Sequence, residues 1–130
     1  MSATVLPEVT ALAHGPNFAA LTVHLASGHA MTHVMWVDAD DEHVLINTEL
    51  HRQKAKNVQR DPRVSVAIID AANPYDFVEV RGTVVEVVRG PVARAHIDAL
   101  ALKYTGKPYA PAITSERVIL RIAVTRTVLR

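Results

Sequence analysis

The sequence contains no cysteine, which excludes disulfide bonds, thiolate nucleophiles and cysteine metal sites. Aromatic residues make up only 5% of its 130 residues and the formal net charge is +1, so it has neither the stacking platforms nor the basic field that nucleic acid requires. No apolar run reaches the length of a membrane span, and no signal-peptide pattern opens the chain. We therefore expect a cytoplasmic protein that binds neither nucleic acid nor a membrane.

Apolar residues, in contrast, are plentiful. They account for 49% of the chain, and the mean hydropathy is +0.13. At 14.2 kDa the chain is long enough for one domain, residues 1–130, but short for an enzyme that must also enclose a cofactor. A surplus of apolar surface together with this short length favours a homodimer that shares its sites between subunits.

Turn residues divide the chain into segments with the patterns of strands and helices. Six segments are predicted to be β-strands: 18–25, 30–37, 43–48, 64–70, 77–88 and 118–124. Helices are predicted over 5–13, from about 51 to a point before Pro62, and from about 89 to 104, with a polar turn at 38–41. The faces predicted from helical spacing are Val5, Val9, Leu12 and Ala13 in the first helix, and Val92, His96, Leu100 and Lys103 or Tyr104 in the third. This order predicts a mainly β fold with flanking helices, a six-stranded antiparallel barrel.

The fifth predicted strand carries a change of phase. Val78, Val80 and Val84 share one face, whereas Val85 and Val87 fall on the other. Gly82 immediately precedes the change, which is typical of a β-bulge or of a corner where a strand bends to close a barrel.

The segment 47–57 has an unusual charge pattern, because basic residues open a helix. A helix N-terminus already carries partial positive charge, so Arg52 and Lys54 are unfavourable there unless an anion binds between them. Thr48 adds a hydroxyl group, and the set suits a phosphate. The alternative is a solvated basic helix that packs on the sheet through Ala55 and Val58.

Other catalytic patterns are weak. Seven histidines are present, but His29 and His33 would stand roughly 13 Å apart in a strand, too far to share a metal ion, so no metal site is predicted. No Ser-His-Asp, paired-carboxylate or glycine-rich phosphate motif occurs. Such a protein can still be an enzyme if a cofactor carries the chemistry.

An ordered set of motifs runs through most of the chain: 18–22, 27–28, 36–38, 47–48, 52–57, 60–64, 73–75, 78–82, 104–106 and 108–109. In this order they resemble the flavin/deazaflavin oxidoreductase group of the pyridoxamine-phosphate-oxidase-like split β-barrels, and within it the F-420-dependent subgroup. The resemblance implies a homodimer with a cofactor in each of two clefts at the subunit interface.

The resemblance also assigns three sets of cofactor-binding residues. The residues that would hold the cofactor phosphate are Thr48, Arg52 and Lys54, with Asn47, Gln53 and Asn57 nearby. The residues that would lie along the tricyclic ring are Thr32, His33 and Val34. A loop that would reach the site, plausibly from the other subunit, contains Asn73, Pro74 and Tyr75.

Two segments depart from the group's pattern, one in the ring strand and one in the loop. The ring strand has Ala30, His33 and Val34 where proline and a small polar residue are common, and Asp76 stands where arginine often follows. A carboxylate at that point disfavours a polyanionic cofactor tail. His33 is either a proton donor to a reduced product or a satisfied histidine in the cleft wall.

The resemblance implies an oxidoreductase in which reduced coenzyme F-420 passes hydride to a small conjugated substrate. Two alternatives remain open. One is an FMN-dependent oxidoreductase, and the other is a non-catalytic protein that carries a flavin, a deazaflavin or haem in the same cleft.

Overall fold

The computed structural model describes residues 4–129, which form seven strands and three helices. The strands are β1 Phe18–His24, β2 Ala30–Met35, β3 Asp38–Ala39, β4 Val44–Glu49, β5 Arg63–Ile69, β6 Phe77–Val88 and β7 Arg117–Leu129. The helices are α1 Pro7–His14, α2 Gln53–Arg60 and α3 Pro91–Thr105.

The six predicted strands are confirmed, and the short strand β3 is an addition. It occupies the first half of the segment predicted as a turn at 38–41, so that prediction was wrong for Asp38 and Ala39. The two residues pair with Leu45 and Val44 of β4. Burial explains the difference, because Ala39 is 6% exposed and packs in the core.

All strands belong to one antiparallel sheet with the order β2-β1-β5-β6-β7-β4-β3. The two outermost strands, β2 and β3, are consecutive in the chain and are joined by Trp36 and Val37 alone. A connection of that length spans at most about 11 Å, so the edges of the sheet must lie near each other. The sheet is therefore curled into a half-barrel.

The concave side of the sheet holds the hydrophobic core. Residues of β7 that alternate in the sequence, from Val118 to Val124, are fully buried there, and so are alternate residues of β1 and β5. Helix α1 contributes Val9 and Ala13, as predicted from their spacing, and α2 contributes Val58. Helix α3 packs on the convex side, against β7 and β4.

Gly82 lies where β6 bends, as predicted. The register of β6 against β7 shifts between Arg81 and Gly82 and again between Val84 and Glu86. A Cβ atom on Gly82 would stand 2.0 Å from the carbonyl oxygen of Ala123, which is closer than any side chain tolerates. Glycine is required here because two backbones approach so closely.

The helices differ from their predicted bounds and faces in two respects. Helix α2 begins at Gln53, after Arg52 as its N-cap, and buries Ala55 and Val58. In α3 the predicted apolar face included Val92, which is 63% exposed. Leu100 is buried as predicted, together with Ile97 and with Ala93 and Ala101, whose small side chains let the helix approach β7 and β4. Across residues 4–129 no helix combines the length and apolarity that a membrane crossing needs.

Candidate functional site

A cavity of about 350 Å³ opens where the end of β4, the start of α2 and the start of β7 meet. This volume is at the lower end of the range of small-molecule sites. The cavity is lined by Met35, Trp36, Asn47, Thr48, Arg52, Lys54, Ile97, Tyr109, Pro111 and Arg117.

Three of the lining residues, Arg52, Lys54 and Arg117, carry positive charge, and we call them the cation cluster. Lys54 is 9% exposed and forms no hydrogen bond or ion pair with the described residues 4–129. Burial and the charges of Arg52 and Arg117 hold the pKa of the Lys54 amine below its usual value. An unpaired amine on a largely buried side chain, next to two other cations, indicates a missing anion.

Arg117 is held in place by three neighbours. Its Nε donates a hydrogen bond of 2.8 Å to Asn47 Oδ1, and its guanidinium carbon lies 5.2 Å from the centre of the Tyr109 ring. Glu49 Oε1 is 3.9 Å from Arg117 Nη1, at the limit of an ion pair. Burial lowers the pKa of Arg117 despite the attraction of Tyr109 and Glu49. The terminal nitrogens thus retain hydrogen-bonding capacity toward the cavity.

Glu49 is the carboxylate nearest to the cation cluster, and its oxygens already have partners. They accept hydrogen bonds from the backbone nitrogen and the hydroxyl of Thr114, over 3.1 and 3.2 Å. His51 Nδ1 and Arg52 Nε lie 3.3 and 3.9 Å from Oε2. One shared carboxylate does not balance three cations, so the cavity has a net positive potential that suits a phosphate.

Two aromatic side chains, Trp36 and Tyr109, form part of the cavity wall. Trp36 stacks on Tyr104 with ring centres 4.9 Å apart and an angle of 4° between the planes. Tyr109 meets Trp36 edge to face, at 6.2 Å. Such a wall suits a planar ring, because aromatic faces stack favourably.

Asn47 joins the cavity to α3. Its Nδ2 donates to the carbonyl oxygen of Ala93 over 2.9 Å and lies 3.0 Å from His96 Nδ1. His96 Nε2 is in turn 3.0 Å from Asp38 Oδ2. Burial alone would raise the pKa of Asp38, but the hydrogen bonds from His96 and the Ala39 amide, with the charges of His96 and Lys103, outweigh it and lower the pKa.

The structure brings together four of the residues assigned to the phosphate: Asn47, Thr48, Arg52 and Lys54. The other two lie on α2 outside the cavity lining. Gln53 is exposed, whereas Asn57 is 6% exposed and its Nδ2 has no hydrogen-bond partner among the described residues. Of the six residues assigned to the phosphate, four therefore line the cavity, and two lie on α2 outside its lining.

The residues assigned to the ring do not line this cavity. Thr32, His33 and Val34 lie on the edge strand β2 and are exposed, Val34 by 69%. The Thr32 hydroxyl lies 2.8 Å from that of Thr22 on β1. Within one chain, β2 and the cation cluster are separate features.

Pro74 and Tyr75 likewise lie away from the cavity, in an exposed loop between β5 and β6. Tyr75 is 77% exposed. Three backbone hydrogen bonds close the loop, from the nitrogen of Asp70 to Asp76, from that of Asp76 to Asn73 and from that of Asn73 to Asp70. The loop is therefore an ordered turn that does not line the cavity of its own chain.

No pattern in the sequence pointed to four of the lining residues: Arg117, Met35, Ile97 and Pro111. Arg117 shares its face of the strand with Arg121 as well as with Ile119 and Ala123, so alternation gave no signal that it is buried. A buried arginine requires a partner, and Asn47 and Tyr109 supply one.

His51, Ser115 and Glu49 lie near the cavity but do not form a catalytic triad. Ser115 Oγ is 2.5 Å and Glu49 Oε2 is 3.3 Å from the same imidazole nitrogen, Nδ1. A triad needs the hydroxyl and the carboxylate on opposite nitrogens. Residues 4–129 also contain no group of three His, Cys, Asp or Glu side chains placed to hold a metal ion.

Comparison with known proteins identifies the family to which this fold belongs. The family model described as pyridoxamine 5'-phosphate oxidase matches residues 5–129. The chain belongs to the pyridoxamine 5'-phosphate oxidase family. No curated protein sequence matches it significantly.

Solved structures of the same split-barrel type superimpose on the chain. An F420 reductase is 29% identical, with a TM-score of 0.79 over 91% of this chain and 94% of that one. The protein Rv2991 from Mycobacterium tuberculosis is 26% identical, with a TM-score of 0.71 over 97% and 84%. General Stress Protein 26 from Bacillus anthracis is 14% identical, with a TM-score of 0.67 over 95% and 96%, and shares the fold alone.

Proposed function

We propose that this member of the pyridoxamine 5'-phosphate oxidase family is a coenzyme F-420-dependent oxidoreductase. It transfers hydride between the deazaflavin and a small conjugated organic substrate. Two findings support the proposal: the cation cluster in a cavity with a flat aromatic wall, and the 29% identity to an F420 reductase over most of both chains.

The observation that carries the proposal is the unpaired amine of Lys54. A largely buried lysine whose amine has no partner and lies beside two further cations is unfavourable without a compensating charge, because desolvation and repulsion both oppose its charged form. A phosphate compensates both and accepts hydrogen bonds from several donors at once.

Different residues around the cavity bind different parts of the cofactor. Lys54 and the terminal nitrogens of Arg117 neutralise the phosphate, and the Thr48 hydroxyl donates to it. Trp36 and Tyr109 offer flat surfaces to a ring and exclude water from one side of it. The bound deazaflavin supplies the hydride chemistry, while the chain supplies placement.

The proposal includes a homodimer. Val34 and Tyr75 are large apolar residues exposed by 69% and 77%, on the strand and the loop that the resemblance assigns to the cofactor. Neither residue reaches the cavity of its own chain. A second copy that supplies them to this cavity would complete the site and cover the exposed side chains.

FMN is the second candidate cofactor, and one observation favours it. The cation cluster recognises a phosphate whichever ring it carries, whereas the exposed carboxylate of Asp76 lies in the loop assigned to the site and repels an anionic tail. FMN has no such tail.

Side-by-side titration of the purified protein with coenzyme F-420 and with FMN, followed by absorbance, tests the proposal. We expect saturable binding of F-420 at the lower concentration, and oxidation of reduced F-420 when conjugated enones are added. Binding of FMN alone would transfer the assignment to the flavin. Binding of F-420 with no turnover of any acceptor would indicate a carrier.

A further inference from the structure

A chain of hydrogen bonds runs from Asp38 on β3 to the cation cluster. Asp38 Oδ2 is 3.0 Å from His96 Nε2, and His96 Nδ1 is 3.0 Å from Asn47 Nδ2. Asn47 Oδ1 accepts the hydrogen bond of 2.8 Å from Arg117 Nε. The cation cluster is therefore connected to a titratable group that does not line the cavity.

The direction of each hydrogen bond follows from the groups at its ends. The carbonyl oxygen of Ala93 can only accept, so the nitrogen of the Asn47 amide faces it, and Arg117 Nε can only donate, so the oxygen faces Arg117. Asn47 Nδ2 is then also the donor to His96 Nδ1. His96 must carry its proton on Nε2 and donate it to Asp38.

A second proton on His96 is incompatible with this arrangement. It would occupy Nδ1 and face the Nδ2 donor of Asn47. Rotating the Asn47 amide by half a turn would restore that contact, but it would set oxygen against the oxygen of Ala93 and nitrogen against Arg117 Nε. If the amide keeps its orientation, the donors of Asn47 and His96 repel each other and disturb the side chain that anchors Arg117; if the amide rotates, Arg117 Nε loses its acceptor.

We propose that His96 and Asp38 are positioning residues for the phosphate site, and that protonation of His96 releases Arg117 and weakens anion binding. Because Asn47 occupies Arg117 Nε, the terminal guanidinium nitrogens point to the ligand only while the chain of hydrogen bonds is intact. This inference rests on the proposed phosphate site, but it does not depend on which cofactor carries the phosphate.

Several charged groups face the His96 imidazole or its partners. Asp38, from β3, accepts from His96, and the positive charge of Lys103, from α3, helps to lower the pKa of Asp38 while the Lys103 amine donates to the carbonyl oxygens of Ala13 and Val37. Beyond Asn47 stand Arg117 and Glu49. A bound anion would attract the imidazolium through space, so our inference requires that the hydrogen-bond effect be the larger of the two.

The experiment compares the wild-type protein with His96→Asn and His96→Ala. The Asn side chain can keep an acceptor near the position of Nδ1 but does not titrate, whereas Ala removes the acceptor. The probe is inorganic sulfate, which stays a dianion from about pH 8 to about pH 5, the range that brackets the usual histidine pKa. Binding is followed by the chemical shift of the Arg117 Nε–H group in nitrogen-15 NMR spectra.

We expect the sulfate dissociation constant of the wild type to rise roughly tenfold between about pH 8 and about pH 5, the equivalent of one lost charge-assisted hydrogen bond. For His96→Asn it should change by much less, and for His96→Ala it should be raised at both values. The Asn variant keeps His51 and the other titratable groups, so its profile reports their contribution.

Equal profiles for the wild type and His96→Asn, tighter sulfate binding at the lower pH, or no sulfate-induced shift at Arg117 would overturn the inference. Titration with F-420 and FMN at the higher pH is scored separately. If neither cofactor binds while sulfate behaves as expected, the proposed function fails and the role of His96 stands. If a cofactor binds and the two sulfate profiles coincide, the role of His96 fails alone.

Discussion

Arg117 and Glu49 lie directly opposite each other on β7 and β4, yet Arg117 Nη1 is 3.9 Å from Glu49 Oε1. Asn47 takes the Nε hydrogen bond of Arg117, and Thr114 donates twice to the carboxylate of Glu49. Opposite charges at such positions usually form a close pair. Here the two charged groups stay 3.9 Å apart, so the guanidinium of Arg117 remains available to a ligand.

The first prediction separates ligand binding from stability at Lys54. Lys54→Met should weaken binding of F-420 or FMN by roughly ten- to a hundredfold, because a charge-assisted hydrogen bond contributes about 1.5 to 3 kcal/mol. The same change should raise the melting temperature of the ligand-free protein, since it removes a buried unpaired charge. Calorimetric titration and thermal unfolding measure the two effects.

Lys56→Met is the matched control for that variant. Lys56 lies on the same helix, two residues further along, and is exposed. It should leave both the affinity and the melting temperature nearly unchanged. An unchanged affinity in Lys54→Met, or an equal loss in both variants, would show that Lys54 does not contact the phosphate.

The second prediction concerns alkaline pH. The pKa of Lys54 is lowered from 10.5 in the folded protein, so between the lowered value and 10.5 the unfolded chain binds more protons at this residue than the folded chain does. The free energy of unfolding of the wild type should therefore rise with pH across that window, relative to Lys54→Met. Denaturant titrations at several pH values should show a difference in unfolding free energy between the two proteins that narrows toward pH 10.5. A difference that stays constant with pH would contradict the lowered pKa of Lys54.

The third prediction tests the contact that fixes the end of α3. The Tyr104 hydroxyl accepts from the Val37 nitrogen over 3.1 Å and donates to the carbonyl oxygen of Asn17. Tyr104→Phe leaves both backbone groups without this partner and should cost about 1 to 3 kcal/mol of unfolding free energy. Tyr75→Phe, in an exposed loop, should cost close to nothing. Chemical denaturation with similar losses for both variants would argue against the Tyr104 contact.

The fourth prediction concerns the bend in β6. Gly82→Ala would place a Cβ atom 2.0 Å from the carbonyl oxygen of Ala123, so the strands must separate. We expect a loss of at least about 2 kcal/mol, or failure to fold, as in severe overpacking. Val85→Ala, at an exposed position of the same strand, is the control and should cost less than about 1 kcal/mol. If Gly82→Ala were as stable as the control, β6 and β7 would be able to separate at little cost in free energy, contrary to this prediction.

Much of the fold follows from local patterns in the sequence. A hairpin turn placed β1 and β2, a continuous apolar run placed β5, and alternation placed β7. The phase change at Gly82 located the bulge in β6, because a strand shows one residue in two to the core. Lys54 was recognised because its charge conflicts with the partial charge of a helix N-terminus, a conflict visible within a few residues.

Other features depend on partners far along the chain. Arg117 completes the cation cluster only after β7 pairs with β4, and no local pattern reports that pairing. The face of α3 was misjudged at Val92 because residue type indicated the apolar side, whereas the fit against β7 selected the small residues Ala93 and Ala101. The roles of Val34 and Tyr75 remain predictions, since they require a second copy.

A crystal structure of the protein with coenzyme F-420 tests the central claim most directly. We predict that a phosphate oxygen lies about 3 Å from Lys54 Nζ and from a terminal nitrogen of Arg117, with the Thr48 hydroxyl in contact and the ring against Trp36 or Tyr109. A cofactor bound with its phosphate away from the cation cluster, with Lys54 still unpaired, would contradict the account.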